Sequence, residues 1–321
     1  MVKANGYGHG AREVARAALE AGAWGLAVVT LAEAAEVRDL LPPERLLVMG
    51  PLLPEDASEA AATGHLLGCS SAVVARALEA AAGDRRVAVH AKLDSGMGRY
   101  GAAPDEFGEL VELVRSSDRL ELAGTWTHLA SSDSDPEFTR QQLDRFLAAT
   151  VGLPGMRHAA NSGAVLHHPE AALDAVRVGI AMYGYGDPRL QPVLQPRARV
   201  AQLKTVPAGW SVGYERTWTA ARTARIATVA IGYADGVHRA RSNRGEVLVR
   251  GRRVPLVGAV SMDSITLDVS ACPELEAGDA ATLIGRDGEE QIGAEEVAGW
   301  SGTISYEVLT AIGNRVERRA T

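Results

Sequence analysis

The strongest constraint on the fold is an alternation of short apolar runs with longer Ala-, Leu- and Glu-rich segments of helical period. The strand-like runs occupy residues 1–3, 25–29, 46–49, 66–69, 86–93, 120–127, 157–160 and 174–177. Strand–helix alternation of this kind predicts a parallel sheet. Eight strand candidates are the number that a closed TIM-like (β/α)8 barrel requires, with a truncated first strand at residues 1–3. A doubly wound open sheet is the alternative, but no Gly-rich dinucleotide loop opens any of the βα units.

The pattern of apolar and polar residues changes at residues 192–196. Beyond this point, alternating apolar and polar runs such as residues 224–230 and 246–249 are separated by turn signals, including Asp287-Gly288. This pattern is typical of an antiparallel β domain. We therefore predict two domains, a barrel over residues 1–195 and a mainly antiparallel β domain over residues 196–321.

Charge and composition exclude several classes of function. The chain carries 33 basic and 40 acidic side chains, for a net charge of −7, which favours neither nucleic acid nor an anionic membrane as a partner. Polar or Gly-rich positions interrupt every apolar run before it reaches the ~18 residues that a membrane-spanning helix needs. The first residues have no apolar signal core, so we expect a cytoplasmic protein. Cys69 and Cys272 are interpreted as buried bystanders rather than a disulfide or redox pair. No spacing of potential ligands indicates a metal site.

Unusual polar residues follow the predicted strands at their C-terminal ends. They are Lys3, the segment 92–99, His128, Asn161 with Ser162, and Arg177 with Gly179. Each alone would be an ordinary surface, structural or ion-paired residue, but catalytic groups of a parallel barrel collect at this one face. The combination predicts a pocket for an anionic aromatic ligand. A lysine buried among cations loses proton affinity and becomes a usable nucleophile.

Several segments resemble the motifs of one enzyme family. Residues 3–10, KANGYGHG, are similar to the pyridoxal-phosphate attachment segment of alanine racemases. Further segments that resemble this family follow in order at residues 92–99, 127–128, 158–162, 177–184, 212–214, 231–236, 262–263 and 304–307. The resemblance therefore spans nearly the whole chain.

The resemblance implies a pyridoxal-phosphate-dependent isomerase that interconverts L-alanine and D-alanine and supplies D-alanine for peptidoglycan. Lys3 would hold the cofactor and move the α-proton on one face of the substrate, and Tyr214 would move it on the opposite face. The family forms homodimers with shared active sites, so Tyr214 would serve the Lys3 of the partner subunit.

The resemblance also assigns the remaining site residues. The residues that would contact the cofactor are Lys3, Tyr7, His128, Asn161, Ser162, Arg177, Gly179, Ile180 and Tyr306. Arg177 would lie against the pyridine nitrogen and keep it unprotonated, because a guanidinium does not readily give up a proton. Arg99 and Met262 would contact the substrate carboxylate, and Tyr233 would line the substrate entrance. Lys92, often carbamylated in the family, would orient Arg99, and His158 and Asp263 would support the site residues without touching the cofactor.

Two departures from the family pattern lead to further expectations. Only Met1 and Val2 precede Lys3, so we expect an incomplete version of a longer protein, with the lysine on a frayed terminus. Glu215 stands where the family usually has Gly after the catalytic tyrosine. The alternatives are a pyridoxal-phosphate-binding protein without turnover, or a racemase of another small amino acid such as serine. A decarboxylase is disfavoured because no cysteine lies near Tyr306.

Overall fold

The computed structural model describes residues 1–320, which divide into two compact units. The first unit comprises Met1–Gly6 and Gly10–Gln191. The second comprises Tyr7–His9 and the described chain from Pro192 onward. A short segment near the start of the chain thus packs with residues that are far away in sequence.

The first unit contains a curled parallel sheet. Its strands are β1 (Leu26–Val28), β2 (Leu46–Val48), β3 (Leu66–Cys69), β4 (Val87–Lys92), β5 (Leu120–Trp126) and β6 (Met156–His158). They follow one another in sequence order, and every neighbouring pair is parallel. The helices are α1 (Ala11–Glu20), α2 (Leu31–Val37), α3 (Ala57–Thr63), α4 (Ala72–Ala81), α5 (Phe107–Ser116), α6 (Pro136–Ala149) and α7 (Ser162–His167).

Two of the eight predicted strands, at residues 1–3 and 174–177, are not strands. Isolated backbone hydrogen bonds replace them: Val2 N–H donates to the Ala27 carbonyl at 3.0 Å, Asp174 N–H to the Arg157 carbonyl at 3.1 Å and Arg177 N–H to the Ala160 carbonyl at 2.9 Å. Met1 N also donates to the Val178 carbonyl at 2.9 Å. Leu173, at φ 39°, interrupts the extended backbone directly before the second segment. The expectation of a frayed start is also wrong, since Val2 is 1% exposed and packs in the core.

The segment after Val2 is a left-handed turn. Ala4, Asn5 and Gly6 have φ of 52°, 51° and 59°. This region costs an L-residue such as Ala4 or Asn5 roughly 1–2 kcal/mol, whereas glycine adopts it freely. Backbone and side-chain hydrogen bonds hold it, because Asn5 accepts from Gly10 N–H at its carbonyl and from Ala11 N–H at its side chain, both at 2.9 Å. Backbone strain that the surroundings maintain is typical of functional sites.

Glu33 fixes this turn to the first strand. Its carboxylate accepts from the amides of Ala4 at 2.7 Å, Val29 at 2.8 Å and Thr30 at 3.2 Å. Thr30 caps helix α2 in return, accepting from Glu33 N–H at 3.1 Å. A reciprocal cap of this kind satisfies two backbone donors that the helix end leaves open. The residue next to Lys3 is therefore anchored to a rigid element.

The second unit is built on an antiparallel sheet. Its strand order is β12-β11-β14-β7-β10-β13, with β7 (Arg197–Val206), β10 (Ala224–Val229), β11 (Glu246–Val249), β12 (Arg252–Pro255), β13 (Ile265–Asp268) and β14 (Ala280–Thr282). Two small hairpins pair β8 (Ser211–Val212) with β9 (Trp218–Thr219) and β15 (Gly285–Asp287) with β16 (Glu290–Ile292). Helices α8 (Ala294–Ser301) and α9 (Ser305–Thr310) follow.

Alternating apolar side chains of these strands form the core of the second unit. Val247, Val249, Leu267 and Ala227 are fully buried within it, as the period-two pattern predicts. Across residues 1–320, no helix is both long and apolar enough to cross a membrane.

Candidate active site

Arg177 makes five side-chain hydrogen bonds within the first unit. It is 7% exposed, and its NH1 donates to Nδ1 and to the carbonyl of His158, both at 2.8 Å. Its NH2 donates to the carbonyls of Thr127 at 2.7 Å and Ala159 at 3.0 Å, and to His128 Nδ1 at 3.3 Å. These acceptors all lie at the ends of β5 and β6, which explains the position of the guanidinium. Within residues 1–320, its Nε has no hydrogen-bond acceptor although it is buried.

Burial and the charge of Arg177 together keep its histidine neighbours neutral. Burial, then Arg177, lowers the pKa of His128 to about 3. The same two causes hold the pKa of His158 well below its ordinary value. Burial also lowers the pKa of Arg177 to about 10, so the guanidinium stays charged at neutral pH. One cation among neutral hydrogen-bond acceptors is a stable arrangement, whereas adjacent imidazolium rings would repel it.

Lys92 lies at the end of β4 with 1% of its surface exposed. Its Nζ sits 3.2 Å from the ring centre of Tyr100 and 4.8 Å from that of Trp126, and donates to the Tyr100 carbonyl. Burial, followed by the charge of Arg99, lowers the pKa of Lys92 to about 7. A large fraction of this amine is therefore uncharged and nucleophilic at neutral pH.

A carboxylate organises the loop that carries Arg99. The two oxygens of Asp94 accept from the backbone N–H groups of Gly96, Met97, Gly98 and Arg99 at 2.8–3.2 Å. These donors lower the pKa of the Asp94 carboxyl against the opposing effect of burial. Arg99 is thereby held on an ordered loop at the end of the strand that bears Lys92.

Lys3 belongs to the same group of cations. Burial and then Arg99 lower its pKa, while Glu33 opposes the shift. Burial, together with the charges of Arg99 and Arg177, likewise lowers the pKa of Lys92. Four basic side chains thus interact with one another at one end of the sheet. This concentration of positive charge fits an anionic ligand.

Ser162 provides a hydroxyl near the start of helix α7. Its Oγ accepts from the amides of Gly179 at 2.8 Å and Ala181 at 3.3 Å, so its own O–H can be donated elsewhere. Asn161 caps the helix by accepting from Ala164 N–H at 3.0 Å. Ile180 begins a short 3-10 helix directly after Gly179. The structure brings these predicted residues together around one hydroxyl.

The second unit contains a pair of predicted tyrosines. The ring centres of Tyr7 and Tyr306 are 6.2 Å apart, and burial, then Tyr306, raises the pKa of Tyr7 to about 12. Gly8 follows at φ 81°, where a Cβ would lie 2.0 Å from the Leu309 carbonyl oxygen. Arg318 donates to the Gly8 carbonyl at 3.0 Å. Only glycine fits at this position, which explains why it follows the tyrosine.

The other predicted residues of the second unit lie on its surface. Tyr214, Met262 and Tyr233 are 70%, 52% and 43% exposed. The carboxylate of Asp263 pairs with Arg315 at 2.7 Å. The pairing of Tyr214 with Lys3 stays a prediction.

Comparison with known proteins decides the family. Residues 1–187 match the model described as "Alanine racemase, N-terminal domain", and residues 193–320 match "Alanine racemase, C-terminal domain". The chain belongs to the alanine racemase family. It is 42% identical to the alanine racemase of Symbiobacterium thermophilum over 99% of this chain and 89% of that protein. It is 41% identical to that of Chlorobaculum tepidum, over 99% and 87%.

Solved structures of alanine racemases share the fold. The Bacillus anthracis enzyme with bound L-Ala-P superposes with a TM-score of 0.90 and 38% identity, covering 98% of this chain and 86% of that one. The Streptomyces coelicolor enzyme gives a TM-score of 0.92 and 35% identity, covering 99% and 89%. The predicted fold class, a barrel followed by a mainly antiparallel β domain, is confirmed.

Sequence reasoning missed several side chains that shape this racemase-family site. They are Glu33, His90, Asp94, Tyr100 and Trp126. His90 interrupts an otherwise apolar stretch of β4, and Trp126 directly precedes the Thr127-His128 motif. These two features of the sequence could have marked His90 and Trp126 as candidate site residues. Their significance depends on neighbours from other strands, which the sequence does not identify.

Proposed function

We propose that this chain interconverts L-alanine and D-alanine with pyridoxal phosphate attached to Lys3. One observation carries the proposal. The buried Nε of Arg177, a donor without an acceptor in the described chain, lies among the cations that include Lys3. The aromatic nitrogen of an anionic cofactor would accept from this Nε, and its negative charge would balance the surrounding cations.

The residues of the first unit fit each part of this cofactor. Arg177 would donate from Nε to the pyridine nitrogen, and because its pKa stays far above neutrality it would not transfer a proton. Ser162 and the backbone at Gly179 and Ile180 would hold the phosphate, with Asn161 keeping the helix start in place. We assign two further phosphate donors, Tyr7 and Tyr306, from the family resemblance.

When bound, the cofactor withdraws electrons from the α-carbon of the attached amino acid, so that its proton becomes acidic. The lowered pKa of Lys3 leaves an amine that can accept this proton on one face. A second group must act on the opposite face, because one base returns the proton to its own side. We assign this role to Tyr214, and assign Arg99 and Met262 to the substrate carboxylate and Tyr233 to the entrance.

Lys92 supports Arg99 in this proposal. With a pKa of about 7, its amine is a good nucleophile toward carbon dioxide at neutral pH. The carbamate would replace a cation by an anion beside Arg99, which favours the orientation in which Arg99 binds a carboxylate. His128 and His158 hold Arg177. Asp263, paired with Arg315, steadies the neighbourhood of Met262.

The active form in this proposal is a homodimer in which Tyr214 serves the Lys3 of the partner subunit. The 70% exposure of Tyr214 in the single chain supports this assignment, because an acid/base group needs a desolvated site.

The first test is D-alanine formation from L-alanine with added pyridoxal phosphate. Wild type should turn over, while Lys3→Ala and Tyr214→Phe should each lose nearly all activity. Lys204→Ala, an exposed lysine of β7, is the matched control and should remain active. Borohydride reduction followed by peptide mapping should place the cofactor on Lys3. Cofactor attachment without turnover would instead favour the binding-only alternative, and a higher kcat/KM for serine would identify a serine racemase.

Mixing the two inactive variants tests the shared site. If Tyr214 serves the partner, a mixed dimer contains one intact site and one doubly damaged site, so random mixing restores about a quarter of wild-type activity. If both residues act within one subunit, every site in the mixture is damaged and no activity returns.

A further inference from the structure

His90 is a buried polar residue that the proposed mechanism does not use. It is 2% exposed in β4, and its Nδ1 lies 2.8 Å from His158 Nε2. Its register partner on β5 is Gly124, where an added Cβ would lie 2.6 Å from the His90 ring. The glycine therefore provides the space in which the two imidazoles meet.

The donors and acceptors in this contact can be assigned from chemistry. The NH1 of Arg177 can only donate, so His158 Nδ1, 2.8 Å away, must accept. The proton of neutral His158 is then on Nε2, which faces His90. His90 Nδ1 must accept it, which places the proton of His90 on its own Nε2.

We propose that His90 is a positioning residue that holds His158 in the tautomer that accepts from Arg177, and thereby sets the direction of the Arg177 Nε. The inference rests on the proposed function, because Nε is the atom assigned to the cofactor. His90 accepts the Nε2 proton of His158, and His158 Nδ1 in turn accepts from Arg177 and so orients its guanidinium.

The surroundings of His158 restrict both the orientation of its ring and the position of its proton. Trp126 stacks on its ring with centres 5.9 Å apart and planes 8° apart, so the imidazole cannot readily rotate away. Without an acceptor at position 90, the Nε2 proton of His158 would be buried and unpaired. Transfer of that proton to Nδ1 would place N–H against N–H at Arg177. Either outcome would loosen the guanidinium. Protonation of His158 does not relieve the conflict, since burial, then Arg177, holds the pKa of His158 well below its ordinary value.

The test compares His90→Phe, which keeps a planar ring but has no acceptor, with His90→Asn, whose side-chain oxygen can take the place of Nδ1. His65→Phe is the control, because His65 is also a buried histidine of the first unit and none of the hydrogen bonds of Arg177 involves it. Each protein is studied with pyridoxal phosphate bound. Histidine tautomers are read from long-range proton–nitrogen NMR spectra, and kcat and KM from D-alanine formation.

In wild type, His158 should carry its proton on Nε2 across the neutral pH range. His90→Phe should lose that single tautomer and reduce kcat about tenfold with little change in KM, comparable to the loss of one orienting hydrogen bond. His90→Asn should recover most of kcat, and His65→Phe should match wild type.

Two results would overturn the proposal: a wild-type His158 protonated on Nδ1, or a His90→Phe variant with unchanged tautomer and kcat. If His90→Phe does not fold, a His90→Asn variant that loses both the tautomer and kcat also overturns it. Wild type that binds cofactor without turnover would refute the proposed function, while the tautomer measurement would still decide the role of His90.

Discussion

Lys92→Met should change the pH dependence of stability. The lysine is buried, and its pKa falls from 10.5 to about 7 chiefly because burial penalises the charged form. In the unfolded chain the ordinary pKa returns. Between these two values the unfolded state binds a proton that the folded state has lost, so the lysine makes stability rise with pH. Its penalty is complete below about pH 7 and fades toward pH 10.5.

The magnitude follows from the two pKa values. A drop from 10.5 to about 7 corresponds to about 5 kcal/mol at acidic pH, and about 2 kcal/mol remains near pH 9. Methionine has a similar length and does not titrate. The difference in unfolding free energy between Lys92→Met and wild type should therefore favour the variant by ~2.5 kcal/mol more at pH 6 than at pH 9.

The assay is urea denaturation of both proteins in carbon-dioxide-free buffers at the two pH values, because a carbamate would replace the titrating amine. Other titrating groups contribute to both proteins and largely cancel in the difference. Lys204→Met makes the same change of charge at an exposed position of β7, and its difference from wild type should not vary with pH. A Lys92→Met difference that is equally independent of pH would refute the reasoning.

Three further outcomes are expected. Ser162→Ala leaves the buried Gly179 N–H without its acceptor and should lower the unfolding free energy by ~1–3 kcal/mol in urea denaturation, whereas Ser162→Thr should retain most of it. Glu215→Gly should raise the unfolding free energy by ~1 kcal/mol, because Glu215 has a φ of 57° that glycine adopts without strain; Glu289→Gly, at an ordinary φ, should give no gain. Burial raises the pKa of the Cys69 thiol to about 11, so a thiol reagent near pH 8 should label it only after denaturation, and rapid labelling of the native protein would contradict its burial.

Glu215 illustrates how far sequence comparison reaches. The departure from the family's glycine is visible in the sequence, but its meaning is not. The left-handed φ supplies the reason for the family preference: a side chain at this position meets its own backbone. Sequence identifies the unusual residue, and the backbone conformation explains it.

The sequence by itself determined the features that depend on neighbours along the chain. Helix and strand periodicity located the six strands that form and indicated the change to an antiparallel unit. Local motifs predicted Lys3, Arg177 and Ser162 as site residues, because the chemistry of each requires a particular residue type within a short segment.

The tertiary structure decided what depends on residues distant in sequence. The predicted strands at 1–3 and 174–177 make isolated backbone hydrogen bonds rather than a ladder, because the backbone turns beside them, through Ala4 and Leu173. The contact of His90 with His158 joins residues 68 positions apart. Periodicity reports which face of a strand is buried but not which atoms meet there. Hydrogen-bond partners, tautomers and shifted pKa values therefore follow only from the folded arrangement.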